Sequence, residues 1–175
     1  MPVVSELLPN LIKRFKAYKD LGDKTFDQLE EKDFFGQPSA ESNSIAIIIQ
    51  HMYGNAMSRW TNFLTEDGEK EWRKRDAEFE LMNVSKQDLI SLWNTGWATM
   101  FQTLESLTEE DLEKTIYIRS EPHKAFDAIL RQLAHYSYHV GQIVYLGRLS
   151  KGEEWKSLSI PKGQSSQFNE KMKHS

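Results

Sequence analysis

Apolar residues recur every three or four positions through four long stretches of the chain, a pattern that predicts four amphipathic helices facing a common core. The first stretch, residues 5–29, places Leu8, Leu11, Phe15 and Tyr18 on one stripe, and Pro9 leaves its start open. The second begins at Asn43 or Ser44, either of which can cap the first free amides, and runs to residue 64. The third begins at Ser85, with Asp88 three residues on as an imperfect capping box. Its buried stripe is Leu89, Trp93, Gly96/Trp97, Met100, Leu104 and Leu107. The fourth follows Pro122 and continues to residue 150, where Lys151-Gly152 stops it.

The connections narrow the architecture. Antiparallel neighbours usually need only about 2–8 linking residues. The linker over residues 65–84 is far longer and can cross the length of a bundle, so the second and third helices are expected to run parallel. The expected fold is all-α: a four-helix bundle of up-down-down-up order with a long crossover between helices two and three. It occupies residues 1–150, and the tail over 151–175 packs on the same domain, with a short helix near residues 164–172. Residues 115–119 have extended character but are too short and isolated for a sheet, so a strap across the bundle end is expected.

Composition removes several function classes. At 175 residues the chain can bury a sizeable core, and its 39% hydrophobic and 27% charged content is that of an ordinary globular protein. A net charge of −4 gives no general attraction to nucleic acid. The basic run Arg73-Lys74-Arg75 is surrounded by Glu69, Glu71, Asp76 and Glu78, which reads as a solvated loop. The absence of cysteine excludes disulfides, thiolate-ligated zinc and a cysteine nucleophile. The N-terminal residues lack the basic start and apolar core of a signal peptide, and no apolar stretch is long enough for a membrane span. A cytoplasmic protein without a membrane or nucleic-acid partner is expected.

Chemistry enters with three histidines. His135 and His139 stand four residues apart and share one face of the fourth helix, and His51 lies in the second. In the antiparallel arrangement His51 is about 10 Å from the start of its helix and His139 about 16 Å from the end of the other, so their levels are close, although a parallel pairing would bring His51 near His135 about as well. Two imidazoles from one helix and a third from its neighbour make the ligand set of an open metal site. Buried histidines satisfied only by hydrogen bonds fit the spacing as well. A metalloprotease needs Glu directly after the first histidine, where Tyr136 stands, and a di-iron bundle needs Glu three residues before each histidine, where Ile48, Gln132 and Tyr136 stand. Three neutral nitrogens suit Zn2+ or Ni2+. Gln142, one turn beyond His139, is placed to orient a ligand or a water, and equally to be a polar residue at a helix edge. At most one of Tyr136 and Tyr138 faces the site. Trp60, Trp93 and Trp97 read as core or dimer contacts, and His123 and His174 as incidental.

The Asn43-Ser-Ile-Ala segment ending at His51, and the His135-x-x-x-His139-x-x-Gln142 segment, resemble the DinB-like, YfiT-type superfamily. The resemblance covers nearly the whole chain, including Arg119-Ser-Glu-Pro-His123 and the tail Ser159-Ile-Pro-Lys-Gly-Gln164, and is similar to a bacterial subgroup without an assigned reaction. It implies a four-helix bundle, frequent homodimers and a divalent metal held by three histidines, here His51, His135 and His139. The superfamily includes enzymes that use bacillithiol or mycothiol, and also metal-dependent hydrolases. The expected activity is transfer of a low-molecular-weight thiol to a small electrophile. Metal-dependent hydrolysis, or a non-enzymatic metal-stabilised dimer acting in stress or binding, are the alternatives. Because the chain has no thiol, the nucleophile would arrive with a cosubstrate. Residues 159–164 of the tail are expected at the rim of the metal pocket.

Overall fold

Side-chain caps set where the second and third long helices begin. The structure of the protein is a computed structural model that describes residues 4–80 and 82–173. Helix α1 spans Val4–Phe26 and carries Pro9 inside it, a position where the ring removes one helical amide donor. Helix α2 spans Ile45–Trp60, and the Ser44 hydroxyl accepts from the Ile47 amide. Helix α3 spans Lys86–Ser106 behind a complete capping box, in which Ser85 Oγ accepts from the Asp88 amide and the Asp88 carboxylate from the Ser85 amide. A short helix α4, Glu109–Leu112, follows. Helix α5, Ala125–Lys151, ends at Gly152, whose φ of +53° favours glycine, and α6 spans Ser165–Lys173.

The chain is thus mostly helical, with one small sheet among the described residues. Strand β1, Thr115–Ile118, pairs antiparallel with β2, Glu121–Lys124, with Ile118 opposite Glu121. This corrects the expected strap. The two-residue turn places Arg119 and Ser120 at φ of +55° and +63°, the conformation a tight hairpin demands. Neither residue favours it, but the Asp67 carboxylate accepts both of their backbone amides, at 2.9 and 2.7 Å. The turn is held from a loop some fifty residues earlier, so local sequence carries no sign of it.

The four long helices share one core. The Phe15 ring of α1 is fully buried and meets Trp60 of α2, Trp97 of α3 and Tyr136 of α5 edge-on, at centroid distances of 6.5, 6.4 and 6.1 Å. Trp60, Trp93 and Trp97 are buried in the core, one of the two places their sequence positions allow. The linker between α2 and α3 folds back along α2 and includes a single 3-10 turn, Asp76–Phe79. Beyond α5 the chain crosses the end of α1, where Gln28 accepts from the Lys156 amide and donates to the Lys156 carbonyl.

Candidate metal centre

Residues 45–52 of α2 are buried on every side, which places His51 in the interior rather than on a solvated face. His135 and His139 approach from one face of α5. Their Nε2 atoms lie 2.9 Å apart, and His135 Nε2 is 3.2 Å from His51 Nε2. One ring nitrogen from each of the three lies within 4.8 Å of both others. Tetrahedral ligation at about 2.0–2.1 Å per nitrogen sets neighbouring nitrogens roughly 3.3 Å apart, so the cluster has the dimensions of a ligand set. The structure therefore brings together all three histidines that the sequence nominates.

The opposite edges of the rings are also held. His51 Nδ1 donates to Glu78 Oε2 at 2.9 Å, and the ring stacks on Phe79. His139 Nδ1 donates to Gln142 Oε1 at 2.9 Å, which gives Gln142 a contact with the centre. A hydrogen on Nδ1 leaves Nε2 with its lone pair turned toward the cluster, the form a metal takes. At His135, Gln132 Nε2 donates to Nδ1 at 3.3 Å and to Asn55 Oδ1 at 2.6 Å.

Burial keeps the His135 and His139 imidazoles neutral. Burial, reinforced by the neighbouring histidines, pushes His135 down to about 3. Burial pushes His139 down to about 4 against the opposing effect of the hydrogen bond it donates to Gln142. Burial of Glu78 works against its ionisation, but hydrogen bonds from His51 and Arg73 outweigh it and hold the carboxyl below its ordinary range. Arg73 grips Glu78 with Nε at 2.7 Å and Nη2 at 2.9 Å, a two-point pairing that fixes the carboxylate.

Several neighbours of the triad escape sequence reasoning. Glu78, Phe79 and Arg73 lie in a linker without periodicity, and the Arg73-Lys74-Arg75 run is only partly the solvated loop expected. Lys74 and Arg75 are exposed, whereas the Arg73 side chain is 2% exposed. Tyr136 turns into the core and Tyr138 lies exposed beside His139. His123 pairs with Asp127 and Glu121 at the hairpin, apart from the centre, and His174 lies outside the described residues.

A cavity of about 210 Å3 reaches His51 and His135, bounded by α2, the hairpin and the first half of α5. Residues 159–164 are not among its lining, so the expected tail rim is corrected. The tail is anchored at the end of α1 near Gln28, whereas the cavity extends toward the start of α5.

The family described as "Protein of unknown function (DUF1572)" matches residues 3–164. No curated protein matches the chain. Among solved structures the chain is similar to one described as "Crystal structure of the conserved protein of locus from Enterococcus faecalis", at 17% identity and a TM-score of 0.63. The match covers 87% of this chain and 99% of that one. At this identity the likeness shows the fold alone.

Proposed function

The chain belongs to the DUF1572 family, and we propose that it holds one divalent ion, Zn2+ or Ni2+, on His51, His135 and His139 and transfers a low-molecular-weight thiol to a small electrophile. The observation that carries this reading is the convergence of three imidazole nitrogens, from buried His51 and His139 and half-buried His135, at the edge of a cavity, with Glu78 and Gln142 fixing two of the rings. A bound divalent ion supplies a Lewis acid that lowers the pKa of a thiol or of water. The chain's own residues orient and bind. Glu78 keeps the His51 proton on Nδ1, and Gln142 does the same for His139. Ligation through His135 Nε2 requires its proton on Nδ1, where the Gln132 carbonyl accepts it once the Gln132 and Asn55 amides both turn over, so that Asn55 then donates to Gln132. With no cysteine in the chain, the thiol is a cosubstrate.

The test is a conjugation assay on metal-loaded protein with a panel of low-molecular-weight thiols and electrophiles. Thiol-dependent loss of electrophile that disappears in His135→Ala supports transfer. Hydrolysis of ester or amide substrates without thiol would replace it with the hydrolase reading. Inactivity of fully metallated protein in both panels would leave a metal-stabilised binding protein.

The same reading places the family within the DinB-like superfamily, supported by the helical fold and by the histidine positions on α2 and α5. An up-down-down-up order of α1, α2, α3 and α5 fits the contacts between them. Tyr53 backs Gly96, Met57 accepts from Thr99, and the Trp60 carbonyl accepts from Thr103, so contacts advance together along α2 and α3. Between α2 and α5 they run oppositely, from His51 with His135 and His139 to Asn55 with Gln132. We take residues 1–150 as the bundle and 151–175 as a tail packed on it. We further propose a cytoplasmic homodimer that acts without nucleic acid or membrane. No helix among the described residues is long and apolar enough to cross a membrane. Tyr138, Tyr145 and Leu149 are 61%, 66% and 57% exposed at seven- and four-residue spacing on α5, an apolar stripe suited to an isologous contact.

A further inference from the structure

The wall of the cavity beside the histidines is dominated by arginine. Arg59, Arg73, Arg75, Arg119 and Arg131 all line it, from α2, the linker, the hairpin turn and α5, and no carboxylate does. Three acids behind the wall offset part of this charge. Asp67 lies close enough to Arg59 to feel its charge and accepts the Arg119 amide. Glu69 pairs with Arg59, Arg73 and Arg119, and Glu78 pairs with Arg73. Arg75 rests over the Phe79 ring, and neither it nor Arg131 makes an ion pair among the described residues. Arg59 Nη1 is buried without a hydrogen-bond partner although the side chain is only 13% exposed. Burial first, and then the positive charges of Arg73, Arg119 and Arg131, push Arg59 down to about 10 against the pull of Glu69.

So much like charge around one opening is unfavourable unless something negative enters it. Guanidinium forks match carboxylate and phosphate oxygens two at a time, and a concave wall of one sign concentrates the field. The volume, about 210 Å3, is below the roughly 300–1,000 Å3 of sites for drug-sized ligands, which restricts the guest to a small molecule. We propose that this cavity binds the anionic group of the molecule on which the centre acts, a carboxylate or phosphate held by Arg75 and Arg131, with the remainder of that molecule directed at the His51–His135 edge. The orientation rests on the metal-centre reading above, whereas the anion site itself stands on the arginines.

Calorimetry with inorganic phosphate and with malonate tests this, using wild-type protein and the Arg75→Gln/Arg131→Gln double variant, each zinc-loaded and metal-free. Wild type is expected to bind at least one of the two anions with a Kd below about 1 mM in both metal states. The anion bound more tightly tells a phosphate-bearing from a carboxylate-bearing substrate. The double variant is expected to bind at least about tenfold more weakly, because charge-assisted hydrogen bonds are removed. Its thermal midpoint should not fall appreciably, since both side chains are exposed and make no ion pair among the described residues, and removing the Arg131 charge relieves repulsion with Arg59. Failure of wild type to bind either anion, equal affinity in the double variant, or loss of binding when zinc is removed would each overturn the anion site. Absence of zinc uptake with anion binding intact would instead sink the metal reading and leave this site standing.

Discussion

Glu78 decides how His51 presents itself, because its carboxylate takes the Nδ1 hydrogen and is itself gripped by Arg73. Partners in this position commonly contribute 10–100-fold to metal affinity. Glu78→Gln should therefore weaken zinc binding by about 10–100-fold in competition with a chromophoric chelator, and an unchanged affinity would assign Glu78 a purely structural part. The depressed histidines also make the metal-free fold sensitive to acid. An unfolded histidine takes a proton near 6.5, whereas His135 and His139 in the fold resist until about 3 and about 4. Below 6.5 the unfolded chain then binds more protons, so stability is full above that pH and falls as pH drops toward 4. Glu78, also depressed, adds its loss only below the ordinary carboxylate range. Thermal melts of metal-free protein should show a midpoint declining between pH 6.5 and 4.5, and His135→Ala/His139→Ala should flatten that slope. An equal slope in the variant would mean that other groups carry it. The triad was legible in the sequence because its members sit at fixed positions on periodic helices. Glu78 and Arg73 were not, since the linker between α2 and α3 has no periodicity, and the arginine wall was not, because it gathers residues from α2, that linker, the hairpin turn and α5 that only the folded chain brings together.

At the scale of elements, ring packing and caps carry the fold. Phe15 joins α1 to α2, α3 and α5 through edge-on contacts at one level of the core. Phe15→Ala should cost about 3–5 kcal/mol in urea unfolding, through lost burial and the cavity it leaves. A loss under about 1 kcal/mol would mean that the surrounding rings collapse into the space. The apolar stripes and the Ser44 and Ser85 caps located α2 and α3, because a cap and the helix it starts are neighbours in sequence. Helix ends were less legible. The second stretch was expected to reach residue 64, but α2 stops at Trp60, where Thr61 turns to an extended backbone. The hairpin was missed for a different reason. Arg119-Ser120 is a poor tight turn by itself and depends on Asp67, which only the folded chain brings near.

Taken whole, the molecule places its candidate chemistry inside and leaves an apolar stripe outside. Tyr138, Tyr145 and Leu149 project from α5, and Gly141 between them meets nothing within 4 Å of where a Cβ would stand, so a second helix can approach closely there. Light scattering at micromolar concentration should give twice the chain mass, and Tyr138→Glu/Tyr145→Glu should return the monomer. A wild-type monomer, or a dimer indifferent to the double substitution, would remove α5 as the interface. The number of long helices and the nominated histidines were available from one-dimensional pattern, whereas the position of the tail was not. Its anchor on Gln28 joins residues 128 apart, and the cavity opens elsewhere. The central claim is that three histidines form one metal site, and elemental analysis of protein purified without a histidine tag or added metal tests it most directly. Wild type should carry about one divalent ion per chain and His135→Ala near none, since two nitrogens hold the ion poorly. Equal metal content in the two proteins, or none in wild type even after incubation with Zn2+ and Ni2+, would contradict it.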